Sequence, residues 1–392
     1  MNKEQSLLVF FVTNNYLPYA GGVVSSIEAF RKELTLLGHK VIVITLDFES
    51  SKTKKSEPHI IRLFCPLKWT YKNNRLALPL YPKWELDELI KNYKPTLIHS
   101  HHPFLLGKTA LSLAQKYNLP LIFTYHTMYE YYSHYIPFIG TFIRPFIKKY
   151  VTWYCQKVSA IIAPSTLIKD SLRNQKIRPP IYTVPSGIQP VFVHAKPSPT
   201  IHSPCRLLFV GRFVKEKNIH FLLDVFTLLP KKQFHLTLIG HGYLYDELRK
   251  YAYNVCYLHQ DEITFSYKPS KYTLAQEYQN ADLFIMASQY ETQGIVIAEA
   301  MASGKPVIAL GGIGALEGVV HNHNGFIVQS KEDMIIKIKQ LVSNQALYKK
   351  MSNNAHQTAL AYTTSATTQK LVTVYRHFTD YSMRNDHLPN NL

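Results

Sequence analysis

The stretch "YETQGIVIAEAMASGKPV", residues 290–307, places two glutamates, Glu291 and Glu299, eight positions apart. It follows the apolar run "ADLFIMAS" and leads into "KPVIAL". A short apolar run, a glycine-containing loop and an apolar, alanine-rich segment are typical of a buried strand, a turn and a buried helix. We therefore predict a loop that carries Glu291, followed by a helix that begins at Gly294, contains Glu299 and is ended by Gly304.

The start of this predicted helix suits a ligand rich in oxygen atoms. The first backbone N–H groups of a helix have no partner within it, and they favour anions. The expected donors are the N–H groups of Gln293, Gly294 and Ile295. Glu291 and Glu299 can accept hydrogen bonds from the vicinal hydroxyls that sugars and riboses both carry. A solvated Glu291 with an incidental Glu299 is the alternative, but Glu299 interrupts an otherwise apolar stretch.

The rest of the chain shows the same alternation of predicted strands and helices. Short apolar runs such as "LLVFFVT", "LPLIFTYH" and "CRLLFVGR" alternate with amphipathic stretches of helical length. This alternation predicts an α/β fold with parallel sheets, and the length favours two domains. We predict two Rossmann-like domains facing across a cleft at the carboxyl ends of their strands, where such sheets bind ligands. The predicted order is an N-terminal Rossmann-like domain (1–190), a proline-rich linker (191–204), a second Rossmann-like domain (205–364) and a C-terminal helix packing back on the first domain (365–392).

Charge and cysteine usage narrow the class of protein. The net charge is +18, and residues 1–190 hold 24 basic and 11 acidic residues, hence +13 of that total. Such asymmetry indicates an anionic partner for the first domain, unless it only reflects a generally basic proteome. The four cysteines form no C-x-x-C pair, so neither a metal site nor a disulfide framework is expected. No apolar run approaches the roughly 18 residues of a membrane span, and "LLVFFV" lacks the features of a signal peptide, so we expect a cytoplasmic protein.

Three further motifs carry chemistry. In "FVGRFVKEKN", Arg212 and Lys217 follow a predicted strand, and two cations there could clamp a diphosphate and stabilise its departure; surface charges beside a turn are the alternative. In "YLPYAGG", Gly21 and Gly22 could let the backbone approach an anion at a helix start, or form a plain turn. In "FTYHTM", His126 ends a predicted strand, where core packing is the alternative role.

Together these motifs resemble the retaining GT-B glycosyltransferases of glycosyltransferase family 4. Three family motifs are matched in order along nearly the whole chain: E-x7-E by Glu291 and Glu299, "GR-x-x-x-EK" by Gly211, Arg212, Glu216 and Lys217, and "P-x-x-GG" by Pro18, Gly21 and Gly22.

This resemblance implies a role for each matched residue. Glu291 would contact the donor sugar, Glu299 the ribose, and Arg212 and Lys217 the diphosphate. His126 would contact the donor sugar from across the cleft. The resemblance implies a UDP-sugar as donor substrate, no tightly bound cofactor or metal, and Mg²⁺ at most as a stimulator.

The segments "TYHTMYEYYSHYIP", "HSHHPFLLG" and "YETQG" resemble bacterial 1,2-diacylglycerol 3-glucosyltransferases more narrowly. Residues 129–157 combine ten aromatic residues with a single acid and with cations, and residues 67–84 have the same character. Aromatic groups beside cations are typical of a protein surface that binds anionic membranes, although a core helix with a solvated basic face would look similar. We predict peripheral binding to the inner face of the cell membrane through Arg144, Lys148, Lys149 and Trp153.

The expected activity is transfer of a hexose, most simply glucose from UDP-glucose, to a lipid acceptor such as diacylglycerol. A polysaccharide, phosphoinositide or protein acceptor is the first alternative. A nucleotide-sugar epimerase and a membrane-associated binding protein without activity are further alternatives, and the intact motifs disfavour both. The basic and aromatic residues could also bind nucleic acid, but no recognised module accompanies them, so no nucleic-acid partner is expected.

Overall fold

The computed structural model describes residues 5–18, 21–48, 59–71, 74–129, 140–193, 200–267, 269–288, 291–311 and 317–385. The chain forms two compact units, one made of the residues up to Ser186 and from Ser365 onward, the other of Gly187–Thr364. The division thus precedes the linker expected at 191–204. Phe192 accounts for the difference, because it is buried in the second unit with its ring edge-on to Tyr278 at 5.7 Å.

The first unit is built on a seven-stranded parallel sheet in the order β3-β2-β1-β6-β7-β8-β9. Its strands are β1 (Leu8–Val12), β2 (Lys40–Leu46), β3 (Ile60–Leu63), β6 (Leu97–Ser100), β7 (Leu121–Thr124), β8 (Ala160–Ala163) and β9 (Ile181–Thr183). Two further strands, β4 (Leu67–Tyr71) and β5 (Asn74–Leu78), form a separate antiparallel hairpin. Its helices are α1 (Gly22–Leu36), α2 (Pro82–Tyr93), α3 (Leu106–Lys116), α4 (Gly140–Cys155), α5 (Thr166–Asn174) and α13 (Thr364–Asn385), of which α13 begins one residue before the division.

The apolar run "LVFFV" of β1 explains why this sheet is covered on both faces. Successive side chains of a strand point to opposite faces. Accordingly, Phe10 and Val12 belong to one buried cluster, and Val9 and Phe11 belong to another. The second cluster includes Tyr375, so the C-terminal helix α13 covers that face of the sheet.

The second unit contains a six-stranded parallel sheet in the order β12-β11-β10-β13-β14-β15. Its strands are β10 (Cys205–Val210), β11 (Phe234–Gly240), β12 (Ile263–Tyr267), β13 (Leu283–Met286), β14 (Val307–Leu310) and β15 (Gly325–Val328). Its helices are α6 (Pro190–Val193), α7 (Ile219–Thr227), α8 (Tyr245–Lys250), α9 (Lys271–Asn280), α10 (Ile295–Ala302), α11 (Lys331–Ser343) and α12 (Gln345–Leu360), with a 3-10 turn at Lys215–Lys217 and a π-helical turn at Tyr251–Val255.

Both sheets are α/β layers with a buried centre, as the alternation of apolar runs and helices predicts. In β10, Leu207 and Phe209 face one cluster while Leu208 and Val210 face the other. Because all strands of each sheet are parallel, the loops after their carboxyl ends lie along a single edge. Lys217 and Glu291 follow strands of the second unit in this way, and His126 follows a strand of the first.

Candidate active site

The helix that contains Glu299, the second glutamate of the motif, begins and ends where the sequence predicts. Gly294 is the N-cap of α10, with φ of 69°, a left-handed conformation that favours glycine. A Cβ at this position would also lie 3.0 Å from Cδ1 of Ile297. At the other end, Gly304 donates to the carbonyl of Met301 (2.8 Å) and Lys305 to that of Ala300 (3.0 Å), which is a Schellman motif. The backbone N–H groups of Gly294 and Ile295 therefore begin a well-defined helix.

Glu291 and Lys217 form an ion pair at the edge of the second sheet. Glu291 lies in the loop after β13, and Lys217 ends the 3-10 turn that follows β10. Both side chains are about six-sevenths buried, with 13% and 14% of their surface exposed. Two residues 74 positions apart, predicted to contact neighbouring groups of one ligand, are thus brought together. Arg212 precedes the same turn and is partly exposed.

Glu299 lies on the second turn of α10 and is buried among apolar side chains. The hydroxyl of Tyr278, on α9, donates a hydrogen bond to Glu299 Oε2 at 3.0 Å. Burial raises the pKa of Glu299 to about 7, an effect that the bond from Tyr278 and the charge of Lys271 oppose. A carboxyl group with this pKa changes its charge within the physiological range.

The paired glycines of the first unit also mark a helix start. Gly21 is the N-cap of α1 and Gly22 its first residue. The loop before them is tied to the helix by Tyr16, whose hydroxyl donates to the carboxylate of Glu28. Arg31 holds the same carboxylate through two bonds of 2.9 Å each. This network ties Tyr16 to α1.

His126 belongs to a cluster of four histidines at the edge of the first sheet. His101 follows β6 and His126 follows β7, and their Nδ1 and Nε2 atoms lie 3.0 Å apart. The two rings are stacked, with centroids 5.2 Å apart. His99 lies beside them and contacts the Tyr375 hydroxyl (2.5 Å) on α13. His102 completes the cluster, with its Nδ1 3.2 Å from the backbone N–H of Asn14.

These histidines are neutral near pH 7. Burial lowers the pKa of His99 to about 3 and that of His102 to about 4. Burial and the neighbouring imidazoles hold the pKa of His101 and of His126 well below the usual value. His126 can therefore offer a hydrogen bond to an uncharged group but no positive charge.

Two family models match the two halves of the chain. Residues 20–192 match the family model described as "Glycosyltransferase Family 4", and residues 195–358 match "Glycosyl transferases group 1". The chain is 32% identical over 314 residues to the alpha-monoglucosyldiacylglycerol synthase of Streptococcus pneumoniae, covering 76% of this chain and 70% of that protein. This chain belongs to glycosyltransferase family 4.

Two further comparisons extend over nearly the whole chain. The alpha-monoglucosyldiacylglycerol synthase of Acholeplasma laidlawii is 27% identical over 397 residues, with 93% of this chain and 96% of that protein covered. The structure of Anabaena Alr3699/HepE in complex with UDP-glucose superposes with a TM-score of 0.74 at 17% identity, covering 95% and 100% of the two chains. The predicted GT-B fold is confirmed, and the protein is a glycosyltransferase.

The membrane-binding residues predicted for this glycosyltransferase belong to α4. Arg144, Lys148, Lys149 and Trp153 are all exposed, and so is Phe146. Three other residues of α4 are buried against the core, namely Val151, Tyr154 and Cys155. The aromatic segment at 130–139 lies outside the described residues.

A second apolar surface surrounds the β4–β5 hairpin and the start of α2. Eight large apolar side chains between 64 and 84 are exposed by 38% to 67%: Phe64, Leu67, Trp69, Leu76, Leu78, Leu80, Tyr81 and Trp84. Monomeric proteins rarely leave so many neighbouring apolar groups in water, and such patches commonly bind a partner or a membrane. The sequence indicated the character of this segment but not the hairpin that presents it.

The described residues contain neither a cluster of metal-binding side chains nor a helix that could span a membrane. Within the described ranges, no group of three or more His, Cys, Asp or Glu residues could hold a metal ion. The helices described are also too short or too polar to cross a bilayer. That the enzyme works without a tightly bound metal or cofactor stays a prediction.

Sequence reasoning missed two contacts that shape the site. Tyr278 and Glu299 are 21 positions apart, on consecutive helices, and no motif links them. His101 lies in the quoted segment "HSHHPFLLG", directly after a strand, which was the available signal for its place beside His126.

Proposed function

We propose that this glycosyltransferase transfers glucose from UDP-glucose to diacylglycerol, with retention of the anomeric configuration, at an anionic membrane surface. The observation that carries the proposal is the ion pair of Lys217 with Glu291, which lies three residues before the helix start at Gly294. Such an arrangement fits a sugar diphosphate, which presents anionic oxygens next to hydroxyl groups.

In this proposal the second unit holds the donor. Arg212, Lys217 and the N–H groups at the start of α10 bind the diphosphate. Glu291 accepts hydrogen bonds from the sugar hydroxyls, and Glu299 from the ribose hydroxyls. A diphosphate bound to Lys217 would compete with Glu291 for the Lys217 ammonium group. Donor binding and the orientation of Glu291 would therefore be coupled.

The transfer step needs stabilisation of the departing UDP. The bond between the sugar C1 and the diphosphate oxygen breaks, and a bond from C1 to the acceptor oxygen forms on the same face of the ring. The proton of the acceptor hydroxyl passes to an oxygen of the leaving diphosphate. Lys217, Arg212 and the α10 N-terminus stabilise the negative charge that develops there. In the first unit, we assign the neutral imidazole of His126 to a hydrogen bond with a hydroxyl group of the donor sugar.

The acceptor assignment rests on the exposed surfaces of the first unit and on the names of the relatives. The exposed residues of α4 and the hairpin surface both combine aromatic groups with nearby cations, as membrane-binding surfaces do. Both relatives described above are named as synthases of a glucosyl lipid. A peripheral position on the cytoplasmic membrane face would bring the enzyme to diacylglycerol and keep it beside the soluble donor.

The test is a transfer assay in mixed micelles with diacylglycerol and a panel of UDP- and GDP-sugars, with and without anionic lipid. We expect α-glucosyl-diacylglycerol from UDP-glucose, in amounts that rise with anionic lipid, and the anomer is assigned by NMR. Hydrolysis of UDP-glucose without lipid product would support UDP-glucose as the donor and rule out diacylglycerol as the acceptor. A folded protein that turns over no donor would contradict the proposed activity, and a β-linked product would contradict retention.

A further inference from the structure

We propose that Tyr278 is a positioning residue for the donor nucleotide: its hydroxyl fixes Glu299 so that the other carboxylate oxygen meets the ribose hydroxyls. The inference rests on the proposed function, because the ribose arrives with the UDP-sugar donor. It adds a residue outside the three family motifs and assigns a separate task to each oxygen of one carboxylate.

The hydrogen-bond geometry divides the two oxygens of Glu299. The Tyr278 hydroxyl lies 3.0 Å from Oε2 of Glu299 and 3.4 Å from the carbonyl oxygen of Val296. A hydroxyl has one proton to donate, and the nearer, ionisable carboxylate is the better acceptor. Among the residues that the structure describes, Tyr278 is the one hydrogen-bond partner of the Glu299 side chain. Oε2 is thus engaged and Oε1 is left for a ligand.

Packing makes Tyr278 a rigid support. The residue is fully buried, with its ring edge-on to Phe192 at 5.7 Å and 6.0 Å from Phe284. Its hydroxyl therefore has one position, set by two torsions that the core already fixes. A glutamate side chain has three rotatable bonds, and immobilising it upon binding would reduce the affinity. The bond from Tyr278 completes that immobilisation before the ligand arrives.

The surroundings also make the charge of Glu299 sensitive to this bond. On α9, Lys271 and Tyr278 both favour the carboxylate form, whereas burial disfavours it and raises the pKa of Glu299. On α12, His356 approaches α10 with its Nδ1 2.7 Å from the carbonyl oxygen of Ala302. Glu317 precedes Gly318, the position at which a Cβ would touch α10. Losing the bond from Tyr278 would raise the pKa of Glu299 further and leave less carboxylate near pH 7.

The experiment compares two ligands that differ only in the ribose hydroxyls. Calorimetry would measure the affinity of the full chain for UDP and for 2′,3′-dideoxy-UDP at about pH 8 and about pH 6.5. The terminal phosphate of a nucleotide titrates near about pH 6, but both ligands carry it, so it cancels in the ratio of the two affinities. That ratio isolates the interaction between the protein and the ribose hydroxyls.

Tyr278→Phe keeps the ring and removes the hydroxyl. We expect it to weaken UDP about tenfold at pH 8, and more at pH 6.5, while dideoxy-UDP changes less than about twofold. Tyr348→Phe is the matched control, because Tyr348 is fully buried in the same unit and its hydroxyl donates to the carbonyl oxygen of Asp282 at 3.2 Å. We expect it to leave the ratio unchanged.

A double-variant cycle tests the route of the effect. If Tyr278 acts through the carboxylate, Tyr278→Phe should no longer alter the UDP to dideoxy-UDP ratio once Glu299→Gln is present. Equal weakening of both ligands by Tyr278→Phe would show a merely structural role and overturn the inference. The same follows if the effect persists in full with Glu299→Gln. Failure of the wild-type protein to bind UDP would instead overturn the proposed donor, and the inference with it.

Discussion

The two parallel sheets place very different side chains at their carboxyl edges. The second carries an ion pair, Lys217 with Glu291, and a buried carboxyl group, Glu299. At the first lie histidines that burial keeps neutral, among them His101 and His126. Two sheets of the same kind thus carry a charged edge, to which we assign the diphosphate of the donor, and a neutral edge, to which we assign its hydroxyl groups.

The largest effect we expect is at the charged edge. Lys217→Ala removes a cation that would stabilise the departing diphosphate, and kcat/KM should fall about 10²–10³-fold. Steady-state transfer assays measure this loss. Lys215→Ala is the control, since Lys215 is an exposed cation in the same 3-10 turn and should change little. Loss of a partly buried partner leaves Glu291 uncompensated, so thermal denaturation must first show that the variant folds. A folded Lys217→Ala enzyme with full activity would show that the charged edge takes no part in catalysis.

The first unit carries exposed cations on α4, and these give the next prediction. Replacing Arg144, Lys148 and Lys149 by glutamine should weaken binding to vesicles containing anionic lipid about a hundredfold, from roughly fivefold per cation. Sedimentation with vesicles measures the partition. High salt should reduce the effect, because the attraction is screened within a Debye length.

A matched triple variant shows whether the position of these cations matters. Three exposed lysines of the second unit, Lys231, Lys232 and Lys250, offer the same change in net charge. If their replacement weakens vesicle binding equally, overall charge and not the α4 surface directs the protein to the membrane.

How much of this difference between the two edges the sequence predicts depends on how far apart along the chain the interacting residues are. Strand and helix boundaries follow from local periodicity, and the helix start at Gly294 follows from a backbone conformation that glycine adopts readily. The parallel order of β10 and β13 then brings Lys217 to Glu291, although 74 residues separate them. Strand order accounts for this proximity, because the two residues lie in the segments that follow adjacent strands.

Contacts between packed helices were beyond sequence reasoning. Tyr278 meets Glu299 only because α9 and α10 are rotated so that both side chains face inward, and periodicity leaves that rotation undetermined. The hairpin of β4 and β5 was missed for a related reason, since its apolar residues are exposed and carry no core-facing pattern. The sequence shows that this segment is rich in aromatic residues, but it does not show that the segment forms a hairpin.

At the neutral edge we expect a smaller loss. His126→Ala should reduce kcat/KM about ten- to a hundredfold by removing a hydrogen bond to the donor sugar, while the affinity for UDP alone stays the same. Calorimetry with UDP and kinetics with UDP-glucose separate the two quantities. Because its pKa lies well below the usual value, titration of His126 should add no limb to the activity profile between about pH 6 and 8. An equal loss of UDP affinity would indicate a structural role for the histidine.

The smallest effect concerns pH, and it again separates the two edges. Glu299 has a pKa of about 7, so it is a carboxylate above that pH and becomes protonated as the pH falls through 7. A protonated carboxyl group loses part of its capacity to accept hydrogen bonds from a ribose, so KM for UDP-glucose should rise below pH 7, by at most about tenfold per pH unit. UDP-glucose is the appropriate probe because its diphosphate has no terminal group that titrates in this range. Glu299→Gln should have a higher KM at pH 8 and no such rise below pH 7. If the rise persists in Glu299→Gln, another group controls it, and the charged edge does not bind the ribose through this carboxylate.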